Sequence, residues 1–337
     1  MTFNPRDFLP AEILAQITDI RVTDPERSLK VARARKRREH LTRNGKLNIL
    51  AADHPARRVT RVGPDPLRMA DRREYMARIL RVMMCDGVDG LLATMDILED
   101  LLLLHDLLRA AGGPAFLDDK LLIVSFNRGG LLGSSWEIDD PNSGPTAASC
   151  VEWGLDGAKI LLRLCDAEKD SLKTLLATAQ TITELNAVGL PMFLESLPVT
   201  KVEGGYKIVK QAEELARTAG AAAALGDSAR YLWLKLPYCE NYEMVARATT
   251  LPILLLGGEP VGDATPFLRE LAAGLAAGPN VRGALVGRNI LFPGADDPLA
   301  AIEAVAGIIH KGWTVEQALD EQAPHRGRDL DWLARIQ

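Results

Sequence analysis

Aromatic residues, cysteine and histidine are scarce in this chain, and each shortage excludes a class of structure or site. Phe, Trp and Tyr make up 5% of the 337 residues, while Leu and Ala are abundant, which favours Leu- and Ala-rich helices packed on a sheet. The five histidines show no HxxxH or comparable ligand spacing, so we expect no metal site. The cysteines form no CxxC pair, which indicates reduced thiols rather than a disulfide framework or a zinc site. They are Cys85, Cys150, Cys165 and Cys239.

An excess of positive charge and long apolar segments are also missing. The formal net charge is −5 at pH 7, which argues against nucleic acid as a general partner because phosphate binding needs a basic surface. Charged residues interrupt the longest apolar stretches before they reach the length of a membrane span. Residues 1–10 are polar and lack the apolar region of a signal peptide. We therefore expect a cytoplasmic protein that binds neither nucleic acid nor a membrane.

Eight short apolar runs alternate with longer helical patterns along the chain. Each run is rich in Leu, Ile and Val and is bounded by Gly, Asp, Asn or Pro, as buried parallel strands are. The runs are 47–52, 90–95, 121–126, 158–164, 189–194, 231–236, 252–256 and 283–286. Eight strand–helix alternations predict a closed (β/α)8 TIM barrel with an N-terminal helical extension. An open doubly wound sheet is the alternative.

The predicted helices divide the chain into three parts. Residues 1–45 form an N-terminal helical extension, 46–312 the barrel, and 313–337 a helical tail that we expect to cap one face. The expected helices are 12–19, 25–41, 66–85, 98–111, 144–153, 168–187, 206–225, 242–248, 266–277 and 296–312. The extension carries a basic run at 33–38. A nucleic-acid or lipid patch is one interpretation of this run, but the acidic whole favours a solvated helix face or a subunit contact.

A lysine interrupts the apolar run at 231–236. Leu232, Leu234 and Leu236 share the face of the strand that would contact the helices, whereas Lys235 shares the inward face with Trp233. A buried lysine tends to lose its proton, and a lowered pKa is what an amine needs to attack a carbonyl. Lys235 is therefore a candidate Schiff-base lysine, and a structural ion pair with a barrel carboxylate is the alternative.

Neighbouring strand ends supply charged residues that such a lysine would use. Lys159 and Arg163 share a parity in the fourth run, and a cation beside Lys235 would help to keep its amine neutral. Glu195 follows the fifth run and is placed to move protons during carbinolamine formation and C–C cleavage. A salt bridge to Lys159 or Arg163 is the alternative for Glu195. Asp53 follows the first run and is a second candidate acid or base, with a turn or N-cap role as the alternative.

Other strand ends carry candidate substrate-binding residues. After the third run, Ser125 and Asn127 are inward candidates and Arg128 opens a Gly-rich loop, so we expect Asn127, Arg128 and Arg163 to contact substrate. His54 has the opposite parity to Asp53 and is assigned to the loop or to packing.

Two glycine-containing strand ends indicate a phosphate site. Gly257 and Gly258 close the seventh run, and Gly287 and Arg288 close the eighth. Loops after strands seven and eight are the usual phosphate site in barrels, because small residues expose backbone N–H groups and an arginine adds charge. Tight turns that require a positive φ would explain the glycines but not Arg288.

Six ordered segments carry a resemblance to a known family. They are Leu50-Ala-Ala-Asp-His54, Gly154-Leu-Asp-Gly-Ala-Lys-Ile-Leu-Leu162, Phe193-Leu-Glu195, Leu234-Lys-Leu-Pro237, Leu256-Gly-Gly258 and Gly283-Ala-Leu-Val-Gly-Arg-Asn289. Over about residues 46–295 the chain resembles the class I aldolases of the deoxyribose-phosphate, bacterial-type fructose-bisphosphate and tagatose-bisphosphate group. The resemblance implies that Lys235 is the Schiff-base lysine and that Lys159, Glu195 and Asp53 are catalytic. It implies phosphate loops at Gly257, Gly258, Gly287 and Arg288.

Two departures from the resembled enzymes bear on the substrate. The seventh strand lacks the lysine of the deoxyribose-phosphate type, and the fifth lacks the tyrosine of the fructose type. The whole chain is most similar to an actinobacterial-type barrel group associated with inositol or sugar breakdown. This similarity implies 5-dehydro-2-deoxy-phosphogluconate as a candidate substrate, cleaved to dihydroxyacetone phosphate and malonate semialdehyde. An arginine near a strand end would bind its carboxylate, and the candidates are Arg57, Arg128 and Arg163.

The resemblance therefore implies a lyase that needs neither a metal nor another cofactor. The substrate would be a phosphorylated keto-sugar or sugar acid, and we expect a homo-oligomer. A non-catalytic sugar-phosphate-binding barrel is one alternative function. A transaldolase-like transferase is another.

Overall fold

Eight strands close into a parallel barrel in the computed structural model, which describes residues 3–259 and 262–327. The barrel strands are β1 (Leu47–Ala52), β2 (Gly90–Ala93), β3 (Leu121–Ser125), β4 (Gly157–Leu164), β5 (Met192–Val202), β7 (Leu232–Pro237), β8 (Ile253–Leu256) and β9 (Val281–Val286). Each pairs with the next, and β9 pairs with β1, so the sheet has no free edge within the ring. The predicted (β/α)8 barrel is confirmed.

Helices follow the strands and surround the barrel. They are α1 (Pro5–Phe8), α2 (Ala11–Thr23), α3 (Arg27–Ala34), α4 (Arg72–Met83), α5 (Met95–Ala110), α6 (Ala147–Glu152), α7 (Asp170–Ala187), α8 (Ala212–Ala223), α9 (Tyr242–Arg247), α10 (Thr265–Ala276), α11 (Arg288–Leu291), α12 (Pro298–Ala306) and α13 (Val315–Glu321). Short 3-10 turns lie at Pro55–Arg57, Arg68–Ala70 and Ala323–His325, and a π-helical turn at Gly307–Lys311. No helix in the described part of the chain is long and apolar enough to cross a membrane.

Helix ends differ from the prediction where a capping side chain sets them. The helix expected from residue 66 begins at Arg72, because the Asp71 side chain accepts the backbone N–H of Glu74 and stops extension toward the N-terminus. In the predicted tail, Thr314 and Gln317 form a capping box that starts α13. Residues 328–337 of that tail lie outside the described residues.

Strand alternation places one set of apolar side chains inside the barrel. The interior cluster consists of Leu47, Ile49, Ala51, Leu92, Leu121, Ile123, Phe193, Leu254 and Leu285. The opposite faces of the strands join the larger core beneath the helices. Toward the carboxyl ends of the strands, which we call the mouth, polar side chains replace apolar ones at inward positions. The predicted inward parity of Lys235 is confirmed, since Trp233 packs against the interior cluster.

The fifth strand is longer than predicted and forms a hairpin over the mouth. β5 continues to Val202 and pairs in antiparallel fashion with β6 (Gly205–Ile208). The helix expected from residue 206 is therefore wrong at its start, because Gly204 and Gly205 adopt positive φ values of 80° and 151° and reverse the chain. Tyr206 and Ile208 pack on an apolar cluster that includes Leu161 and Leu256, two residues near the ends of their strands.

The basic run at 33–38 binds acidic residues at the opposite end of the barrel, which we call the base. Arg35 and Arg37 pair with Asp156, which precedes β4, and Arg38 pairs with Asp89, which precedes β2. Helix α3 ends at Ala34, so the predicted helix to residue 41 is wrong, and the extended backbone from Arg35 turns these side chains toward the strands. The solvated helix face expected for this run is wrong for Arg35 and Arg38, which form buried intramolecular ion pairs.

We expect Arg35→Ala to destabilise the fold by about 3–5 kcal/mol, because it leaves Asp156 buried without its main cation. The side chains of Arg35 and Asp156 are 0% and 6% exposed. Arg33→Ala is the matched control, since Arg33 and Glu152 are 56% and 54% exposed and such a pair contributes about 0–1 kcal/mol. Urea denaturation would measure both free energies of unfolding. Equal small losses in the two variants would show that the buried pair does not hold the base together.

Candidate active site

Three consecutive barrel strands bring two lysines and one glutamate together at the mouth. β5 lies between β4 and β7, so Glu195 on β5 stands between Lys159 on β4 and Lys235 on β7. Glu195 Oε2 lies 2.6 Å from Lys159 Nζ and 3.0 Å from Lys235 Nζ. The three side chains are 13%, 2% and 6% exposed, respectively. One carboxylate oxygen therefore serves two buried amines.

A second carboxylate, Asp53, lies on the other side of Lys159. Its Oδ2 is 3.4 Å from Lys159 Nζ and accepts a hydrogen bond of 3.0 Å from Ser125 Oγ. Arg128 forms an ion pair with Asp53 and donates from Nε to Ser125 Oγ at 2.8 Å. The structure thus brings the four predicted catalytic residues, Asp53, Lys159, Glu195 and Lys235, into one cluster. Arg128 lies against the Asp53 carboxylate of this cluster.

Burial and neighbouring cations lower the pKa of both lysines. Burial lowers the pKa of Lys235 most, Glu195 opposes it, and the charges of Arg128 and Arg288 lower it further. Burial and then Arg128 hold the pKa of Lys159 well below its ordinary value. A lysine of lowered pKa has a larger neutral fraction near neutral pH, and the neutral amine is the nucleophilic form.

Glu195 is held in its ionised form by the same neighbours. Burial alone would raise the pKa of this carboxyl, but the charges and hydrogen bonds of Lys159 and Lys235 bring it well below its usual range. Glu195 is therefore a carboxylate able to accept a proton from a group bound next to Lys235.

His54 lies in the loop directly after β1, as predicted, and the charges of this cluster act on it. Burial, followed by the charges of Arg288 and Lys235, holds the pKa of His54 well below its ordinary value. Strand parity does not set the direction of its side chain, because β1 ends at Ala52 and His54 has helical backbone angles, φ −66° and ψ −44°, at the start of the 3-10 turn. Pro55, a residue favoured at the first position of such a turn, was the sequence signal for the change.

The predicted phosphate loops lie side by side. Asn289 Nδ2 donates to the carbonyl oxygen of Gly257 at 2.6 Å and joins the loop after β8 to the turn after β9. Gly287 permits close packing, since a Cβ there would lie 2.2 Å from the Ala51 oxygen. Arg288 approaches the exposed Glu259 at 3.5 Å, and its buried Nε has no hydrogen-bond partner among residues 3–259 and 262–327.

Two of the predicted substrate-binding residues are engaged within the chain. The Asn127 amide donates to the Leu161 and Asp140 carbonyl oxygens at 2.7 and 3.1 Å and accepts from the Leu161 N–H at 2.8 Å. Arg163 forms an ion pair with Glu137, a residue that no motif or strand end in the sequence singles out. These contacts order the loop between β3 and α6, so their geometry favours a structural role for both residues.

Arg57 differs from Arg163 because it lacks a carboxylate partner. Its Nε and Nη2 both donate to the carbonyl oxygen of Gly130, at 3.0 and 2.9 Å. No acidic side chain forms an ion pair with it in the described part of the chain. Burial lowers the pKa of Arg57, and the charges of Asp140, Glu195 and Glu137 oppose this shift without forming an ion pair.

The fold and this cluster define a (β/α)8-barrel protein with a lysine–carboxylate site at the carboxyl ends of its strands. Among the described residues, no group of three His, Cys, Asp or Glu side chains is placed to hold a metal ion. The chain belongs to the Cgl0159-like family, whose model matches residues 45–306. Cgl0159 from Corynebacterium glutamicum is 36% identical, and the two structures match over 90% of this chain and 99% of that chain with a TM-score of 0.84.

More distant similarities concern aldolases and a synthase. A Schiff base-forming fructose-1,6-bisphosphate aldolase is 23% identical and matches over 84% of this chain and 99% of its own, with a TM-score of 0.58. 2-Amino-3,7-dideoxy-D-threo-hept-6-ulosonate synthase 1 from Archaeoglobus fulgidus is 24% identical over 143 residues, which are 42% of this chain. The chain spans 49% of that curated relative's length. The predicted resemblance to class I aldolases is confirmed for the fold, and the narrower group and the inositol link stay predictions.

We expect the amine of Lys235 to titrate below 10.5, the ordinary pKa of lysine. The substitution Glu195→Gln should lower the pKa of Lys235 further. The reason is that Glu195 is the neighbour that raises the pKa of Lys235. Competitive labelling with an amine-acylating reagent across pH, followed by peptide mass spectrometry, would give the midpoint. Lys36 is an internal control, because its hydrogen bond with Asp119 raises its pKa. A Lys235 midpoint at or above that of Lys36 would contradict the electrostatics described for the site.

Proposed function

We propose that this protein is a class I aldolase that cleaves a phosphorylated keto-sugar or sugar acid through a Schiff base on Lys235. The observation that carries the proposal is the buried Lys235 amine 3.0 Å from a carboxylate that it shares with Lys159. The arrangement combines a nucleophile of lowered pKa with an adjacent ionised proton acceptor, as Schiff-base catalysis requires. The Schiff-base-forming aldolase of the same fold supports the proposal.

In the first half of the reaction, the neutral Lys235 amine attacks the ketone carbon of the substrate. The proton that the amine loses passes through Glu195 to the carbonyl oxygen as the carbinolamine forms. A second proton, from the ammonium form of Lys159, then lets the hydroxyl leave as water and gives an iminium. Glu195, at 3.0 Å from Lys235 Nζ, accepts the proton that the amine loses. Lys159, at 2.6 Å from the same oxygen, also holds the carboxylate in place.

In the second half, the iminium accepts the electron pair of the breaking C–C bond. The hydroxyl on the leaving fragment loses its proton and becomes an aldehyde, while the fragment on Lys235 becomes an enamine. Glu195 is the proton acceptor closest to Lys235, whereas Asp53 reaches the cluster through Lys159 at 3.4 Å. Protonation of the enamine carbon and hydrolysis of the resulting iminium then release the second product and restore Lys235.

The phosphate of the substrate would bind at the loops after β8 and β9. Gly257 and Gly258 expose backbone next to Gly287, and the Asn289 hydrogen bond of 2.6 Å holds the two loops together. Arg288 offers a buried guanidinium nitrogen without a partner in the described residues. A phosphate oxygen would satisfy this donor and add a charge-assisted hydrogen bond.

For the substrate itself we keep 5-dehydro-2-deoxy-phosphogluconate, which has a ketone, a phosphate and a carboxylate. Its cleavage gives dihydroxyacetone phosphate and malonate semialdehyde. Arg57 is the candidate for the carboxylate, since the Gly130 carbonyl oxygen is the hydrogen-bond acceptor of its guanidinium among the described residues and no carboxylate pairs with it there. Arg128 and Arg163 are occupied by Asp53 and Glu137.

Borohydride reduction in the presence of dihydroxyacetone phosphate should trap a covalent adduct on Lys235, because reduction converts the iminium to a stable secondary amine. Intact and peptide mass spectrometry would locate it, with a chelator-treated sample in parallel. Lys235→Ala should abolish the adduct, and Glu195→Gln should slow turnover by about 10²- to 10⁴-fold, the usual contribution of a general acid or base.

The alternatives give different results in the same experiment. An adduct on Lys159 would support Schiff-base chemistry but would show that Lys159, not Lys235, is the nucleophile. Folded protein that binds but never reacts with a panel of keto-sugar phosphates would indicate a non-catalytic sugar-phosphate-binding barrel. In a parallel reaction without borohydride, transfer of the fragment held as the Lys235 enamine to an added aldehyde in preference to its release would indicate a transaldolase-like transferase.

A further inference from the structure

His54 occupies the space between the Schiff-base cluster and the phosphate loops. It follows Asp53 directly, yet the 3-10 turn at Pro55–Arg57 takes its side chain out of the strand pattern. Its Cε1 would lie 2.7 Å from a Cβ at Gly287, so the imidazole packs against the turn that carries Arg288. The charges that act on it come from four different elements, at Arg288, Lys235, Lys159 and Glu195.

We propose that His54 is a substrate-binding residue that hydrogen-bonds the phosphate-bearing end of the substrate together with Arg288. This inference rests on the proposed aldolase function. It gives a substrate-binding role to His54, which the strand-parity argument left out of the site. The ligand class is a phosphate monoester attached next to the ketone carbon.

Three buried polar atoms around one turn lack partners, and this is the main support for the inference. They are His54 Nδ1, Arg288 Nε and Asn289 Oδ1, none of which has a hydrogen-bond partner within residues 3–259 and 262–327. Buried polar atoms in folded proteins almost always have partners, in the protein or in a ligand or water. Donors and an acceptor left without partners at the neighbouring ends of β1 and β9 therefore indicate a polar ligand that binds there.

A structural histidine elsewhere in the chain shows the contrast. His105 is also buried, but its Nδ1 accepts the backbone N–H of Leu117 at 3.3 Å and its Nε2 lies 3.5 Å from Asp118. The Nδ1 of His105 is thus satisfied by the backbone, whereas its Nε2 has no hydrogen-bond partner among the described residues and lies near a carboxylate. His54 has no equivalent contact to Nδ1 among the described residues.

The charge state of His54 suits a hydrogen-bonding role rather than acid–base catalysis. Burial and the cations of Arg288 and Lys235 keep its pKa well below the ordinary value, so the ring is neutral near neutral pH. A neutral imidazole still provides one donor and one acceptor. It also avoids placing another positive charge beside the iminium that would form on Lys235.

The test compares trapping with a phosphorylated and an unphosphorylated ketone. In full-length His54→Phe we expect the half-saturating concentration of dihydroxyacetone phosphate to rise about 10- to 100-fold, the usual effect of losing a hydrogen bond to a charged group. The borohydride-trapping rate with dihydroxyacetone should fall less than the rate with dihydroxyacetone phosphate, since that ketone has no phosphate. His54→Asn, which keeps a donor and an acceptor, should recover part of the loss. His40→Phe is the matched control, because His40 is a solvent-exposed histidine in the segment before β1.

Equal losses for both ketones in His54→Phe and His54→Asn would overturn the inference and leave the proposed function intact. If the wild-type protein trapped neither ketone, the proposed function would fail, and the inference would then be decided by calorimetric binding of inorganic phosphate. Weaker phosphate binding in both His54 variants than in wild type and His40→Phe would support it. Equal phosphate affinity in all four proteins would overturn it.

Discussion

The shared carboxylate of Glu195 is the interaction on which the site depends. Two buried lysines and Arg128 lie close together, and cations without a counter-ion in such a place would cost several kcal/mol each. Glu195 stands between the lysines because β5 lies between β4 and β7 in the closed barrel. Barrel closure thus brings Lys159 and Lys235 to one oxygen at 2.6 and 3.0 Å, although 76 residues separate them in the chain (235 − 159). The same surroundings favour the neutral form of an amine and the ionised form of the carboxyl.

Ion pairs at the base of the barrel have a structural role. Asp156 immediately precedes β4, and its Oδ2 accepts the backbone N–H of Leu122 at 2.9 Å while it pairs with Arg35. It therefore ties the start of the strand that carries Lys159 to its neighbour β3 and to the N-terminal segment. This separation of roles agrees with the general pattern of barrels, in which chemistry lies at the carboxyl ends of the strands and stability at the amino ends.

The mouth is shaped by two segments that the strand–helix pattern does not describe. The β5–β6 hairpin covers one side with apolar residues that include Tyr206 and Ile208. The loop after β3 is held by Asn127 and by the pair of Arg163 with Glu137. The lysine–carboxylate cluster and the phosphate loops form a polar region of the mouth. Arg57 and His54, for which we propose substrate contacts, both lie in the segment directly after β1 rather than on a strand.

The sequence by itself determined the eight strands, the inward parity of Lys235 and the order of the polar strand ends, because these follow from local periodicity and from residues that terminate strands. Only the tertiary structure decided which charges meet. Parity could not place His54, since a 3-10 turn at Pro55–Arg57 changes the direction of the side chain. Nor did a local pattern pair Arg163 with Glu137 or Arg35 with Asp156, partners that are 26 and 121 residues apart. Such pairings depend on distances through space, which the closure of the barrel sets and which sequence separation does not contain.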